Sequence, residues 1–242
     1  MALEVGGRAD KGGNQYENHF LGKQLLLLAE EKLKTVEVEP LGDEGQGVEY
    51  IVVKPDDTVV LLGDLSWTLD LKDAVADFNW IDRIPGRKII LKGNHDYWWS
   101  TASKFYNFCN ENGFSNQLIL NNNHYEYCDY AICGTRGWFY EEERSGEHDE
   151  KVFKRELLRL EASLKSAGDK QKNVFLHYPP KYKGYECEPI IDLLKQYEVR
   201  NCFYGHLHGF SHGLAVEGLW DGINYKLVSA DYLNFKPYLV IP

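Results

Sequence analysis

The apolar run Ile89-Ile90-Leu91 breaks off at Lys92-Gly93 and is followed at once by Asn94, His95 and Asp96, three side chains that can bind a metal or move a proton. A short, continuous apolar run of this kind suits a strand buried on both faces of a parallel sheet. Gly93 lets the backbone turn without a Cβ in the way. Asn94, His95 and Asp96 are therefore expected just past the carboxyl end of a strand, where open α/β sheets place their ligands.

The rest of the chain is read around that stretch. Alternating strand and helix signals after Lys54 predict parallel βαβ units. Thr58 to Leu62 reads as a buried strand ending at Gly63-Asp64, and Asp70 to Ile84 as a helix with Leu71, Val75, Phe78 and Ile81 inward. A helix from about Trp98 to Asn112 follows. Leu118–Leu120, Tyr125–Tyr127 and Tyr130–Cys133 suit an antiparallel meander around the Asn121-Asn122-Asn123 turn. Gly134 to His148 reads as a loop, and Asp149 to Ala167 as a helix capped by Asp149. Strand Asn173–Leu176, a helix from about Pro189 to Tyr197, strand Asn201–Tyr204, and strands Leu214–Glu217 and Tyr225–Ser229 complete the pattern. Upstream, Tyr16 to about Val36 reads as a helix with Phe20, Leu25, Leu28 and Leu33 as its stripe, and Leu41 to Gly47 as a loop. One domain over residues 1–242 is expected, with residues 1–53 atypical because glycines crowd there.

Composition narrows the function. A net charge of −10 disfavours a surface built for the nucleic-acid backbone, although a local basic patch is compatible with it. Five cysteines without a CxxC pair read as free thiols. No basic segment followed by an apolar one opens the chain, and Leu25 to Ala29 is too short to span a bilayer. A cytoplasmic location and no membrane partner are the expectations.

Four apolar runs end in residues of metal-ligand type: Val60-Leu61-Leu62 before Gly63-Asp64, Ile89-Ile90-Leu91 before Gly93-Asn94-His95-Asp96, Val174-Phe175-Leu176 before His177, and Cys202-Phe203-Tyr204 before Gly205-His206-Leu207-His208. Taken singly, Gly-Asp serves equally well as a turn or helix cap, Asn-His-Asp as a solvated turn, and His177 as a backbone hydrogen-bond partner. His206-x-His208 is more telling, because residues two apart on an extended segment point the same way. In a parallel sheet such ends lie along one edge, so residues more than a hundred positions apart can converge there. Carboxylate, amide oxygen and imidazole without thiolate suit Mn²⁺, Fe²⁺ or Zn²⁺. Two such ions can activate a water and clamp a displacement at phosphorus.

The set Gly63-Asp64, Gly93-Asn94-His95-Asp96, His177 and Gly205-His206-Leu207-His208 resembles the calcineurin-like metallophosphoesterases from about Lys54 onward. The resemblance implies an α/β fold, an αββα sandwich of two mixed β-sheets flanked by helices, and a site for two divalent metal ions. It implies that Asp64 bridges the ions, that Asn94, His177 and His206 complete one, and that His208 binds the other. It gives His95 a place at the phosphate or the leaving oxygen, with Asp96 orienting it. Family members usually also carry an early Asp-x-His, and no Asp here is followed two residues later by His. Three explanations stay open: substitutes among Asp10, His19 and Asp43, a weak second ion, or an N-terminal sequence unlike that of an active relative.

Arg136 could present a bidentate donor to a substrate phosphate, or be a surface loop residue. Tyr97, Trp98 and Trp99 could wall the site, or pack under the next helix. His212 reads as a loop residue. The expected function is hydrolysis of a phosphate ester through metal-activated hydroxide, on a phosphorylated small molecule or phosphoprotein, with nucleic acid less favoured. The alternative is a catalytically impaired metal-binding scaffold or regulator of the same fold.

Overall fold

The computed structural model describes residues 2–3, 25–28, 35–38, 48–138 and 147–240, with side chains from residue 53 onward except residues 139–148. In chain order the elements are β1 (Ala2–Leu3), β2 (Leu25–Leu28), β3 (Thr35–Val38), β4 (Val48–Val52), β5 (Thr58–Leu61), α1 (Val75–Arg83), β6 (Arg87–Ile90), α2 (Ala102–Asn112) and β7 (Gln117–Ile119). Then come β8 (His124–Tyr127), β9 (Tyr130–Thr135), α3 (Glu147–Ser166), β10 (Gln171–Leu176), β11 (Lys181–Tyr182), β12 (Tyr185–Glu186), α4 (Glu188–Gln196), β13 (Asn201–Tyr204), β14 (Gly218–Trp220), β15 (Ile223–Leu227) and β16 (Tyr238–Val240).

Two mixed sheets carry the fold. The first has the order β16-β2-β5-β6-β7 and the second β14-β15-β13-β10-β9-β8. In the first, β5, β6 and β7 run parallel and β2 runs against β5. In the second, β9, β10, β13 and β15 run parallel, with antiparallel β8 and β14 at the edges.

Alternation along each strand builds three apolar layers. Val60, Leu62, Ile89 and Leu91 face Ile132, Phe175 and Phe203 between the sheets. On the outside of the first sheet, Val59, Leu61 and Ile90 meet Phe78 and Ile81 of α1 and Phe105 and Phe108 of α2. On the outside of the second, Cys133, Val174 and Tyr204 meet Leu160 and Leu164 of α3 and Ile190 and Leu194 of α4. Each fully buried Ile, Leu or Phe contributes roughly 1.5–3 kcal/mol. The layers run helix, sheet, sheet, helix, as the resemblance implies.

One buried charge is fully met. Lys88 Nζ donates to the carbonyls of Ile84 at 2.8 Å and Gly86 at 3.0 Å, close to the end of α1. Those carbonyls lack helical partners, so a lysine in an otherwise apolar strand start is satisfied there.

Several expectations are corrected. Leu25–Leu28 is a strand between β5 and β16, and Thr35–Val38 is another, so the helix expected over residues 16–36 is absent at those positions. Four consecutive leucines suit a strand with sheet on both sides better than a helix, whose stripe would use only some of them. Phe20, Leu33, Asp10, His19 and Asp43 lie outside the described residues. β7 pairs with β6 in the first sheet while β8 and β9 pair in the second, so the Asn121–Asn123 turn crosses between sheets and no three-stranded meander forms. The first turn over Leu71–Ala74 is a 3₁₀ helix, whose tighter pitch leaves Val75 exposed while Phe78 and Ile81 are buried. Gly134 and Thr135 extend β9, and α3 begins at Glu147, so Asp149 lies inside its first turn instead of capping it. The first strand of the last hairpin is Gly218–Trp220, preceded by a 3₁₀ helix over Gly209–Leu214 where a strand start was expected.

Candidate active site

The carboxyl ends of β5 and β6 in one sheet face those of β10 and β13 in the other. Asp64 follows β5, Asn94 and His95 follow β6, His177 follows β10, and His206 and His208 follow β13. The β5 and β6 loops touch: a Cβ on Gly93 would stand 2.1 Å from Asp64 Oδ1 and 2.3 Å from Asp64 N, so only glycine fits there. Asp64 and His206 both hold positive φ, 56° and 69°, a conformation that costs energy for residues with a Cβ and is found at sites the surroundings fix.

Four donors converge. Asn94 Oδ1 lies 2.7 Å from His177 Nε2 and 3.0 Å from His206 Nδ1, and Asp64 Oδ2 lies 3.7 Å from His177 Nε2. His177 Nδ1 donates to the Leu62 carbonyl at 2.8 Å, which places its proton on Nδ1. Burial lowers the pKa of His177, against the pull of Asp64. Burial and the neighbouring His177 lower that of His206 to about 3, against the same carboxylate. In the neutral His177 ring, Nε2 therefore carries a lone pair aimed at the Asn94 oxygen and the Asp64 carboxylate. Carboxylate and amide oxygens beside an imidazole lone pair are the donor chemistry that a divalent ion takes. Among the described residues no three His, Cys, Asp or Glu side chains are spaced round a common point for a metal. The donors are drawn together around the Asn94 amide.

His208 stands apart from that set. Its Nδ1 donates to Asp231 Oδ1 at 2.7 Å, and Asp231 Oδ2 accepts from Gly209 N at 2.9 Å and lies 3.1 Å from His212 Nε2. His208 Nε2 is buried with no hydrogen-bond partner, the position a ligand nitrogen takes when a carboxylate fixes the opposite side of its ring. Asp231 is not among the residues expected at the site from the sequence, and His212, expected as a loop residue, lies in the 3₁₀ turn over Gly209–Leu214. Asp231 lies four residues past the end of β15, a strand parallel to β13.

His95 sits at the mouth, its backbone N–H donating to Asp64 Oδ1 at 2.8 Å. The ring stacks on Trp67, with centroids 4.4 Å apart, and its Nδ1 is 3.1 Å from the Tyr97 hydroxyl. Tyr97 is exposed, while Trp98 is buried against Phe78. Asp96 does not orient the His95 ring, which corrects that expectation. Its buried carboxylate accepts the N–H groups of Gly93 (2.7 Å), Asp64 (2.7 Å), Leu65 (2.8 Å) and Ser66 (3.3 Å) and the Trp98 indole (3.1 Å). The short Asp96 side chain reaches back into the turn it closes and ties the β5 loop to the β6 loop. Burial and the nearby Asp64 charge push its pKa up to about 6, against those backbone donors.

Arg136 directly follows β9, and its carbonyl accepts the N–H groups of His177 and Tyr178 at 3.1 and 2.9 Å. Its guanidinium lies 3.9 Å from Glu156 and over the Tyr178 ring.

Strand-end carboxylate, amide and imidazole groups set between two mixed sheets define a phosphoesterase-type domain. A family model described as calcineurin-like phosphoesterase matches residues 41–210, and the chain belongs to that family, whose members are hydrolases and generally use divalent metals. Comparison with curated proteins gives no match. Among solved structures, the chain is similar to TT1561 of Thermus thermophilus, at 16% identity over 64% of this chain and 73% of that one, with a TM-score of 0.45. The five cysteines are free, and no helix among the described residues is long and apolar enough to cross a membrane.

Proposed function

We propose that the chain is a metal-dependent phosphoesterase acting on a phosphorylated small molecule or phosphoprotein. The observation that carries the reading is the approach of His177 Nε2 and His206 Nδ1 to Asn94 Oδ1, with His177 Nδ1 already committed to Leu62. Asp64, Asn94, His177 and His206 would hold one divalent ion, with Mn²⁺, Fe²⁺ and Zn²⁺ the candidates, and Asp64 and His208 would contribute to a second. When bound, such ions supply Lewis-acid activation of water and neutralise charge developing at phosphorus.

The remaining work falls to the chain. Arg136 offers a planar donor to a phosphate oxygen. His95, held by Asp64, Trp67 and Tyr97 and open at the mouth, delivers a proton to the departing alkoxide. Water replaces the alcohol at phosphorus, releasing orthophosphate. The test is hydrolysis of a generic aryl phosphate by Mn²⁺-loaded protein. Asp64→Asn is expected to lower both metal content and turnover, and His95→Asn to lower turnover with metal retained. Equal metal loss in both variants would contradict these roles.

The missing Asp-x-His favours a second reading, a metal-binding scaffold or regulator with little catalysis. Wild-type protein that retains metal and releases no phosphate from any ester would select it.

A further inference from the structure

We propose that the cavity next to the β6 loop is a subsite for a second phosphoryl group, so that the preferred substrates are small molecules carrying two phosphates. This rests on the phosphoesterase reading and names its substrate class. The cavity has a volume of about 480 Å³ and is lined by Lys92 of the β6 loop, Arg136 directly after β9, and Arg155, Glu156 and Arg159 of α3. Four cations thus face one carboxylate among the described residues, in a chain whose net charge is −10. That excess is local, and it is the basic patch that overall composition leaves room for.

The single carboxylate is already engaged. Glu156 is buried, accepts the Thr135 hydroxyl at 2.9 Å and pairs closely with Arg159. Arg136 lies farther from it, at 3.9 Å, and the buried Arg136 Nε has no hydrogen-bond partner. Arg155 is exposed, with its Nε on the Lys151 carbonyl at 3.3 Å. Thr101 and Ala102 bring the N-terminus of α2 to the same wall, where the first-turn N–H groups add partial positive charge.

The cavity also adjoins the site described above. Lys92 is two residues from Asn94, and Arg136 accepts the His177 backbone N–H. A phosphate ester held at Asn94 and His177 would have a second anion site across one loop. Guanidinium groups in a half-enclosed cavity recognise phosphate by charge-assisted, bidentate hydrogen bonds. Phosphoproteins offer no fixed second anion, so the cavity favours small bisphosphates over them.

The test compares phosphate release by Mn²⁺-loaded full-length protein from short alkanediol bisphosphates with release from the alkyl monophosphates of matching length. At least one bisphosphate is expected to exceed its monophosphate in kcat/KM by about tenfold, mainly through KM. The double variant Arg155→Gln/Arg159→Gln is expected to bring that preference down to about threefold or less, as exposed pairing alone would give. Arg155→Gln alone, which leaves the Glu156–Arg159 pair in place, should move it in the same direction with an unchanged near-ultraviolet circular dichroism spectrum. Equal kcat/KM for both substrate types in wild type, or a preference that survives in the folded double variant, overturns the subsite while leaving the phosphoesterase reading intact. If wild type hydrolyses neither these substrates nor any other phosphate ester, the generic aryl phosphate included, the phosphoesterase reading falls. Without turnover of these substrates, the subsite is judged by calorimetric titration with the same bisphosphates: binding that the double variant weakens supports it, and binding that is absent or unchanged overturns it.

Discussion

Replacing Asp96 separates a structural clamp from a catalytic partner of His95. Its two oxygens divide the donors: Oδ2 takes the Asp64 and Gly93 N–H groups, and Oδ1 takes Leu65, Ser66 and the Trp98 indole. In Asp96→Asn one oxygen becomes an NH₂, which faces donors instead of accepting from them. With the oxygen kept on the Leu65 side, two buried N–H groups lose their acceptor, at about 1.5 kcal/mol each, or about 3 kcal/mol together. For a chain of this size that lowers Tm by about 6–12 °C. Asp96→Ala strands all five donors, and a loss of about 5 kcal/mol or more would leave little folded protein at 37 °C. Thermal and urea unfolding of metal-free protein, followed by circular dichroism, reads both variants. Wild-type stability in Asp96→Ala, combined with lost hydrolysis, would refute the clamp and return Asp96 to the chemistry.

Three further outcomes follow from the same geometry. In metal-free protein His206 has a folded-state pKa of about 3 against 6.5 for the free side chain, because burial and His177 oppose its charge. The unfolded chain therefore takes up the proton first, and stability falls as pH drops from about 6.5 toward 3, by about 2 kcal/mol at pH 5 from this group; urea unfolding should show a smaller pH slope in His206→Asn. Gly93→Ala should abolish metal retention and turnover together, because its Cβ would overlap the Asp64 carboxylate; normal metal content in that variant would refute the close approach of the two loops. Asp231→Ala frees the His208 ring and is expected to weaken the second ion by about 10–100-fold while leaving the first in place, read as stoichiometry in a metal titration.

The sandwich and the convergence of Asp64, Asn94, His177 and His206 were legible because each sits at the end of a run such as Ile89–Leu91, whose continuous apolarity marks a covered strand. What surrounds those residues was less so. Leu25–Leu28 was misread because helix and strand both accept four leucines, and only pairing with β5 and β16 decides between them. Asp96 was misassigned because sequence adjacency to His95 says nothing about where a short side chain turns. Asp231 lies four residues past β15, and its worth depends on the His208 ring from another strand. The cavity between α2, α3 and the β6 loop has no local signal, since Lys92, Arg136, Arg155 and Arg159 are ordinary basic residues until the fold gathers them.

The most direct test of the account is metal content per chain, measured by elemental analysis on wild type and Asp64→Asn after loading with Mn²⁺ and desalting. The account predicts at least one retained ion per wild-type chain and its loss in Asp64→Asn. Wild-type protein that retains no ion, or an Asp64→Asn variant that retains the same amount, would contradict a metal centre built on Asp64, Asn94, His177 and His206.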